Sequence, residues 1–230
     1  MMAQSTHKID VYIEAGKRRT FAGAIDWPGW SRTGRDEETA LQALFEYGPR
    51  YGRVLHETGL EFQAPVEVSA FNIIERLEGN STTDFGAPDV APSSDMQPLD
   101  EAGLQRLEAL LKACWQAFDS AVLAARGKEL RKGPRGGGRD VEGIVRHVLG
   151  SEAGYLASFN WKLKKSEEKT LEEELKRTRQ AVLDALESAV RDGLPERGPR
   201  GGAIWRPRYF VRREAWHVLD HVWEIEDRIL

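Results

Sequence analysis

Hydrophobic and polar positions alternate along the first third of the chain, then give way to a period near 3.6 residues. Ile9, Val11 and Ile13 fall on one side of Lys8–Ala15, which reads as a strand. Gly16-Lys17 reads as a tight turn and Arg19–Asp26 as a second strand. Pro28-Gly29 supplies another turn, and Ser31–Arg35 reads as a short third strand. Asp36 can cap a helix with apolar positions at Leu41, Leu44 and Phe45, and Gly48-Pro49 is expected to break or kink it. Val66–Leu77 reads as a fourth strand. The order β-β-β-α-β predicts a small sheet with one helix packed on it.

Composition shifts sharply at Gly79–Pro98, which is rich in Gly, Ser, Pro and Asp and has no helical period. It reads as a linker. The expected division is therefore a sheet module over 1–79, a linker over 80–98 and a helical module over 99–230. In the helical module Asp100 can cap a helix from Glu101 to about Arg126, and Asp140 a second to about Trp161. Thr170 and Glu173 have capping-box spacing for a third helix, which ends before Gly193. A fourth runs from about Tyr209 to the C-terminus. The expected fold class is α+β with two modules, the second an up-and-down four-helix bundle.

Composition narrows the function classes. The 230-residue chain has a net charge of −4, so it lacks the basic excess of a general nucleic-acid binder. Its single cysteine, Cys114, excludes an intrachain disulfide and reads as a core residue among Leu111, Trp115 and Phe118. The start of the chain is too polar for a signal peptide, and no apolar run approaches the roughly 20 residues that span a bilayer. The expectation is a cytoplasmic protein without membrane contact.

Three of the five histidines sit on predicted helices of the second module. His217 and His221 are four apart, so both imidazoles lie on one face of the fourth helix. They stand at the edge of an apolar face made by Ala215, Val218, Val222 and Ile225, with Glu214 and Glu224 on the same stripe. His147 is on the second helix, with Gly143, Gly150 and Gly154 along its face. Three internal glycines mean either close helix packing or open space beside a ligand, since each costs about 1 kcal/mol relative to alanine. In an up-and-down bundle the second and fourth helices start at one end, with His147 about 10 Å deep at 1.5 Å per residue and His217 at a similar depth. Three neutral nitrogens suit zinc, and also nickel or iron.

The segments Arg146-His147-Val148-Leu149-Gly150-Ser151-Glu152 and Trp216-His217-Val218-Leu219-Asp220-His221-Val222-Trp223-Glu224-Ile225-Glu226-Asp227-Arg228 resemble the two histidine segments of the DinB-like superfamily. The resemblance spans roughly Leu99 to Leu230. It implies a four-helix bundle with one divalent metal held by His147, His217 and His221. It also implies a transferase or isomerase chemistry that uses a low-molecular-weight thiol as cofactor, as in some members. Glu152, Glu214 and Glu224 are the candidates to orient a histidine or move a proton. In the first module, Asp26-Trp27-Pro28-Gly29-Trp30 followed by Thr33-Gly34-Arg35-Asp36-Glu37 resembles the HicB-like antitoxin domain, which implies a small α+β module that meets a partner protein.

Gly133-Pro134-Arg135-Gly136-Gly137 recurs as Gly198-Pro199-Arg200-Gly201-Gly202. Each copy precedes a histidine-bearing helix. In an up-and-down bundle both would sit at the mouth of the metal pocket, where Arg135 and Arg200 would hold an anionic small-molecule substrate. A basic mouth also suits single-stranded nucleic acid, with Trp205 and Tyr209 as stacking partners. Trp216 and Trp223 face away from the histidines, and burial in a homodimer is one way to cover them. Two functions follow: a metal-dependent thiol S-transferase or hydrolase, or a non-catalytic metal-stabilised protein that binds a partner through its first module.

Overall fold

The computed structural model describes residues 8–133, 137–164, 170–198 and 201–230. The protein is α+β, and the chain divides into two compact units, Met1–Gln97 and Pro98–Leu230. The first holds β1 (Ile9–Ala15), β2 (Thr20–Ala24), β3 (Ser31–Gly34), α1 (Glu37–Leu55), β4 (Phe71–Glu78) and the short α2 (Ser81–Phe85). The sheet order is β3-β2-β1-β4. The first three strands are antiparallel neighbours and β4 runs parallel to β1, so the sheet is mixed. Gly29 turns the chain at φ 93°, which delivers Trp30 into the core. There the Trp30 indole donates to Leu44 O at 2.9 Å and stacks on Tyr51 with centroids 5.8 Å apart.

Three expectations for this unit change. α1 runs through Gly48-Pro49 instead of stopping there. Proline removes one backbone bond, but Tyr51 and Leu55 beyond it are buried, and a Cβ at Gly48 would press on Trp30 and Pro65 at 3.3 Å. Tertiary packing therefore outweighs the breaker. The fourth strand starts at Phe71, after a 3-10 turn at Val68–Ala70. Residues 80–97, expected as a linker, fold with the first unit. Glu14 on β1 is fully buried, and it accepts from Thr83 Oγ1 at 2.5 Å and from the backbone N–H groups of Asp89 and Val90 at 2.9 and 3.1 Å. A buried carboxylate needs such donors, so this segment is fastened to the sheet.

The second unit holds α3 (Glu101–Ala124), α4 (Val141–Ser158), α5 (Leu171–Asp192) and α6 (Pro207–Arg228). The cap signals act as expected. Asp100 accepts from Gly103 N at 2.8 Å, Asp140 from Gly143 N at 2.7 Å, and Thr170 with Glu173 forms a capping box. α3 packs on α5 and α6, and α4 also packs on α5 and α6.

Helix directions differ from the up-and-down expectation. α3 and α6 run parallel: Arg208 donates to Pro98 O at 3.2 Å at one end, and Leu130 bridges Ile229 at the other. α4 opposes α6, because Trp205 N donates to Ser158 O at 3.1 Å while Arg228 donates to Arg139 O at 2.9 Å. α5 opposes α3, with Arg179 on Asp119 at 2.8 Å and Val190 and Arg191 beside Glu101 and Leu104. The order is up, down, down, up, and after α4 Lys164 lies beside α5, where Arg177 donates to Lys164 O at 3.0 Å. Among the described residues no helix is long and apolar enough to cross a membrane.

Candidate metal centre

α4 and α6 bring together three histidines that lie far apart in sequence. His147 Nε2 and His217 Nε2 are 3.2 Å apart. With His221 they form a group whose ligand nitrogens all lie within 4.8 Å of one another. The convergence has a different cause from the one expected. α4 enters at the end where α6 leaves, so His147, seven positions after Asp140, meets His221, seven positions before Arg228. His217 lies near the middle of α6 and is reached from either direction.

The donor set fits a divalent ion. Zinc–nitrogen bonds of about 2.0–2.1 Å at tetrahedral angles put ligand nitrogens about 3.3 Å apart, close to the His147–His217 separation. All three ligands must be neutral to bind. Burial first, and then the neighbouring His221, His147, Arg213 and Arg139, push His217 down to about 2. Burial and then Arg139 and His221 lower His147 as well. Second contacts set the orientation of one ring: His221 Nδ1 lies 2.7 Å from Glu224 Oε2. The other Glu224 oxygen accepts from Arg228 Nη1. A carboxylate on Nδ1 holds the proton there and turns Nε2 toward the site.

Two predictions follow from this geometry. A histidine whose folded pKa lies below its unfolded value contributes stability that is complete above about 6.5 and is lost as pH falls. The metal-free protein should therefore lose thermal stability as pH drops below 6.5, and His217→Gln should flatten that dependence. Melting curves across pH check this. Glu224→Gln should weaken zinc affinity about 10- to 100-fold, as loss of a carboxylate that orients a ligating histidine does elsewhere. Competition with a chelating dye measures it.

One side of the site is open. A Cβ built on Gly150 or Gly154 meets nothing within 4 Å, so these glycines do not mediate close helix packing. Gly143 has a local cause, since a Cβ there would come within 2.9 Å of its own capping residue Asp140. Gly150→Ala should stabilise the protein by about 1 kcal/mol in denaturant unfolding, through helix propensity alone. Beside the open stripe stands an aromatic wall. The Tyr155 ring is 5.7 Å from His217, and Trp205 lies 5.2 Å from Tyr155 and 5.0 Å from Tyr209.

The other candidates separate. Glu224 touches a histidine; Glu152 and Glu214 do not. Both are fully buried and face each other, and neither accepts a well-formed hydrogen bond from a donor. Burial raises both pKa values, that of Glu214 to about 7. Arg135 and Arg200 lie outside the described residues. The glycines around them show that each repeat closes alike, Gly133 N onto Gly137 O at 2.8 Å and Gly198 N onto Gly202 O at 2.9 Å. The two loops do not share one mouth, however. The first adjoins the C-terminal end of α6 through Arg131 and Arg228, and the second precedes its N-terminal end. Trp216 and Trp223 are 5% and 2% exposed in the single chain, so they require no second subunit to cover them. Tyr155 and Arg228 were not singled out from sequence. Their spacings of eight from His147 and four from Glu224 are the signals that mark them. Comparison with protein-family models, with curated proteins and with solved structures finds no match to this chain.

Proposed function

We propose that His147, His217 and His221 hold one divalent metal ion, zinc first and nickel or iron next, in a DinB-like four-helix bundle. On this reading the protein is a metal-dependent enzyme that transfers a low-molecular-weight thiol to a small anionic or electrophilic substrate, or hydrolyses one. The observation that carries the reading is the cluster itself: three ligand nitrogens within 4.8 Å of one another on two helices. Neutral imidazoles, an oriented His221 and an open flank at Gly150 and Gly154 support it further.

The ion would supply Lewis acidity that makes a nucleophile from a thiol or water near neutral pH. The chain's own groups do the rest. Glu224 fixes the His221 ring. Arg139 and Arg213 bring positive charge to the histidines, which favours an anionic substrate. Tyr155 and Trp205 offer a flat apolar wall against which a substrate can orient. A zinc-loaded sample should consume a thiol in the presence of an electrophilic test substrate, lose that activity on chelation and regain it with zinc. Turnover that survives chelation contradicts the proposal.

A second reading keeps the metal as a structural staple and gives the first unit a HicB-like role in partner recognition. The separate, fully cored first unit favours it, since thiol transfer needs nothing there. A stable protein complex in pull-downs with no rate effect on thiols would select this reading.

A further inference from the structure

A second polar cluster lies inside the helical unit, apart from the histidines. Glu152 comes from α4, Glu214 from α6, Trp115 from α3 and Arg179 from α5. Arg179 Nη1 holds Asp119 at 2.8 Å on the outside, while its Nε stops 3.9 Å short of Glu152 Oε1. The two carboxyl groups and the Trp115 indole face one another at Glu214. Yet Trp115 Nε1 and Arg179 Nε and Nη2 have no acceptor in good geometry, and neither glutamate accepts a well-formed bond from a donor. Thr178 Oγ1, next to Arg179 and buried, is also unpartnered.

Buried polar groups are rarely left so, and the 3.9 Å between Arg179 Nε and Glu152 Oε1 is a separation that a water molecule can bridge. The set mixes donors and acceptors, as water requires. A bare cation is disfavoured by the guanidinium of Arg179. Charge gives a second constraint. Two ionised carboxylates against one guanidinium leave an excess negative charge in the core, with Asp119 adding to it from α3. The Cys114 thiol, raised by burial and by Glu214, stays neutral and does not relieve it. One proton between the two glutamates balances the cluster.

We infer that Glu152 and Glu214, facing each other in the centre of the helical unit beside Trp115 and Arg179, share a single proton. The proton rests on one carboxyl and is hydrogen-bonded to the other carboxylate. Solvent supplies it from a groove of about 350 Å³ between α3 and α5, in which Trp115 and Arg179 meet Gln116, Asp119 and Ser120. α3 and α5 pack together on the side away from the α4–α6 contact that carries the histidines. Protons therefore reach the interior without passing the histidine site, and the inference does not depend on whether that site holds a metal.

Infrared spectra of the metal-free full chain test this. At neutral pH the wild type should show the carbonyl stretch of a protonated carboxyl group, and both Glu152→Gln and Glu214→Gln should lose it, because the remaining glutamate ionises beside Arg179. No such band in the wild type, or a band that each variant only reduces, overturns the shared proton. In deuterated water the wild-type band should shift quickly, and Ser120→Trp, which fills the groove, should slow the shift. An unchanged rate overturns the entry route. Should a glutamine variant fail to fold, a crystal structure of the wild type decides the point: carboxyl oxygens of Glu152 and Glu214 within hydrogen-bonding distance of each other support the shared proton, and carboxyl groups turned apart overturn it.

Discussion

Zinc should raise the melting temperature of the wild type and leave that of His217→Ala where it was. A ligand that binds only the folded state, at a free concentration one hundred times its Kd, stabilises by about 2.7 kcal/mol. For a folding unit of this size that is a rise on the order of 10 °C. His217 is the ligand to remove, because it stands 3.2 Å from His147 and its ring centroid is 4.7 Å from that of His221. Its loss leaves two imidazoles from different helices, which cannot close a structural site of three or four ligands. Thermal unfolding with and without zinc reads the difference, and an equal rise in both proteins would show that zinc binds elsewhere.

Trp30→Ala should destabilise the first unit by about 3–5 kcal/mol, the cost of removing a large aromatic side chain from a core. Trp30 is fully buried, and its ring meets Tyr51, Phe62 and Phe71 with centroids 5.1–5.8 Å apart. Truncation also strips the Leu44 carbonyl of its buried partner. Metal binding should be untouched, because all three histidines belong to the second unit. Denaturant unfolding together with a zinc titration tests both halves. Loss of zinc binding along with the first unit would contradict the independence of the two.

Local chemistry was legible in the sequence, and long-range arrangement was not. Asp100, Asp140 and the Thr170–Glu173 pair announced three helix starts, because a cap involves only residues three apart. The spacing of His217 and His221 placed two imidazoles on one face for the same reason. Helix direction escaped this reading. A period of 3.6 says which face is apolar but not which way a helix runs, and nothing in the sequence between α4 and α5 says whether the two helices are parallel or opposed. That reversal is why the two Gly-Pro-Arg-Gly-Gly loops part to opposite ends of α6. Composition misled at 80–97, where the segment is held by Glu14, some seventy residues earlier. Pattern also gives no sign that Arg212, Arg213 and Glu214 on α6 are buried with the apolar residues. Charged residues inside a helix core usually mean partners or water, and Arg213 lies close enough to His217 to help lower its pKa.

The central claim is that three histidines on two helices hold one metal ion. Mass spectrometry of metal content, on protein purified without a histidine tag, tests it most directly. About one zinc, nickel or iron per chain is expected for a single three-histidine site. No metal in the purified protein, and none retained after incubation with zinc and desalting, would contradict it and leave the histidines as packing residues.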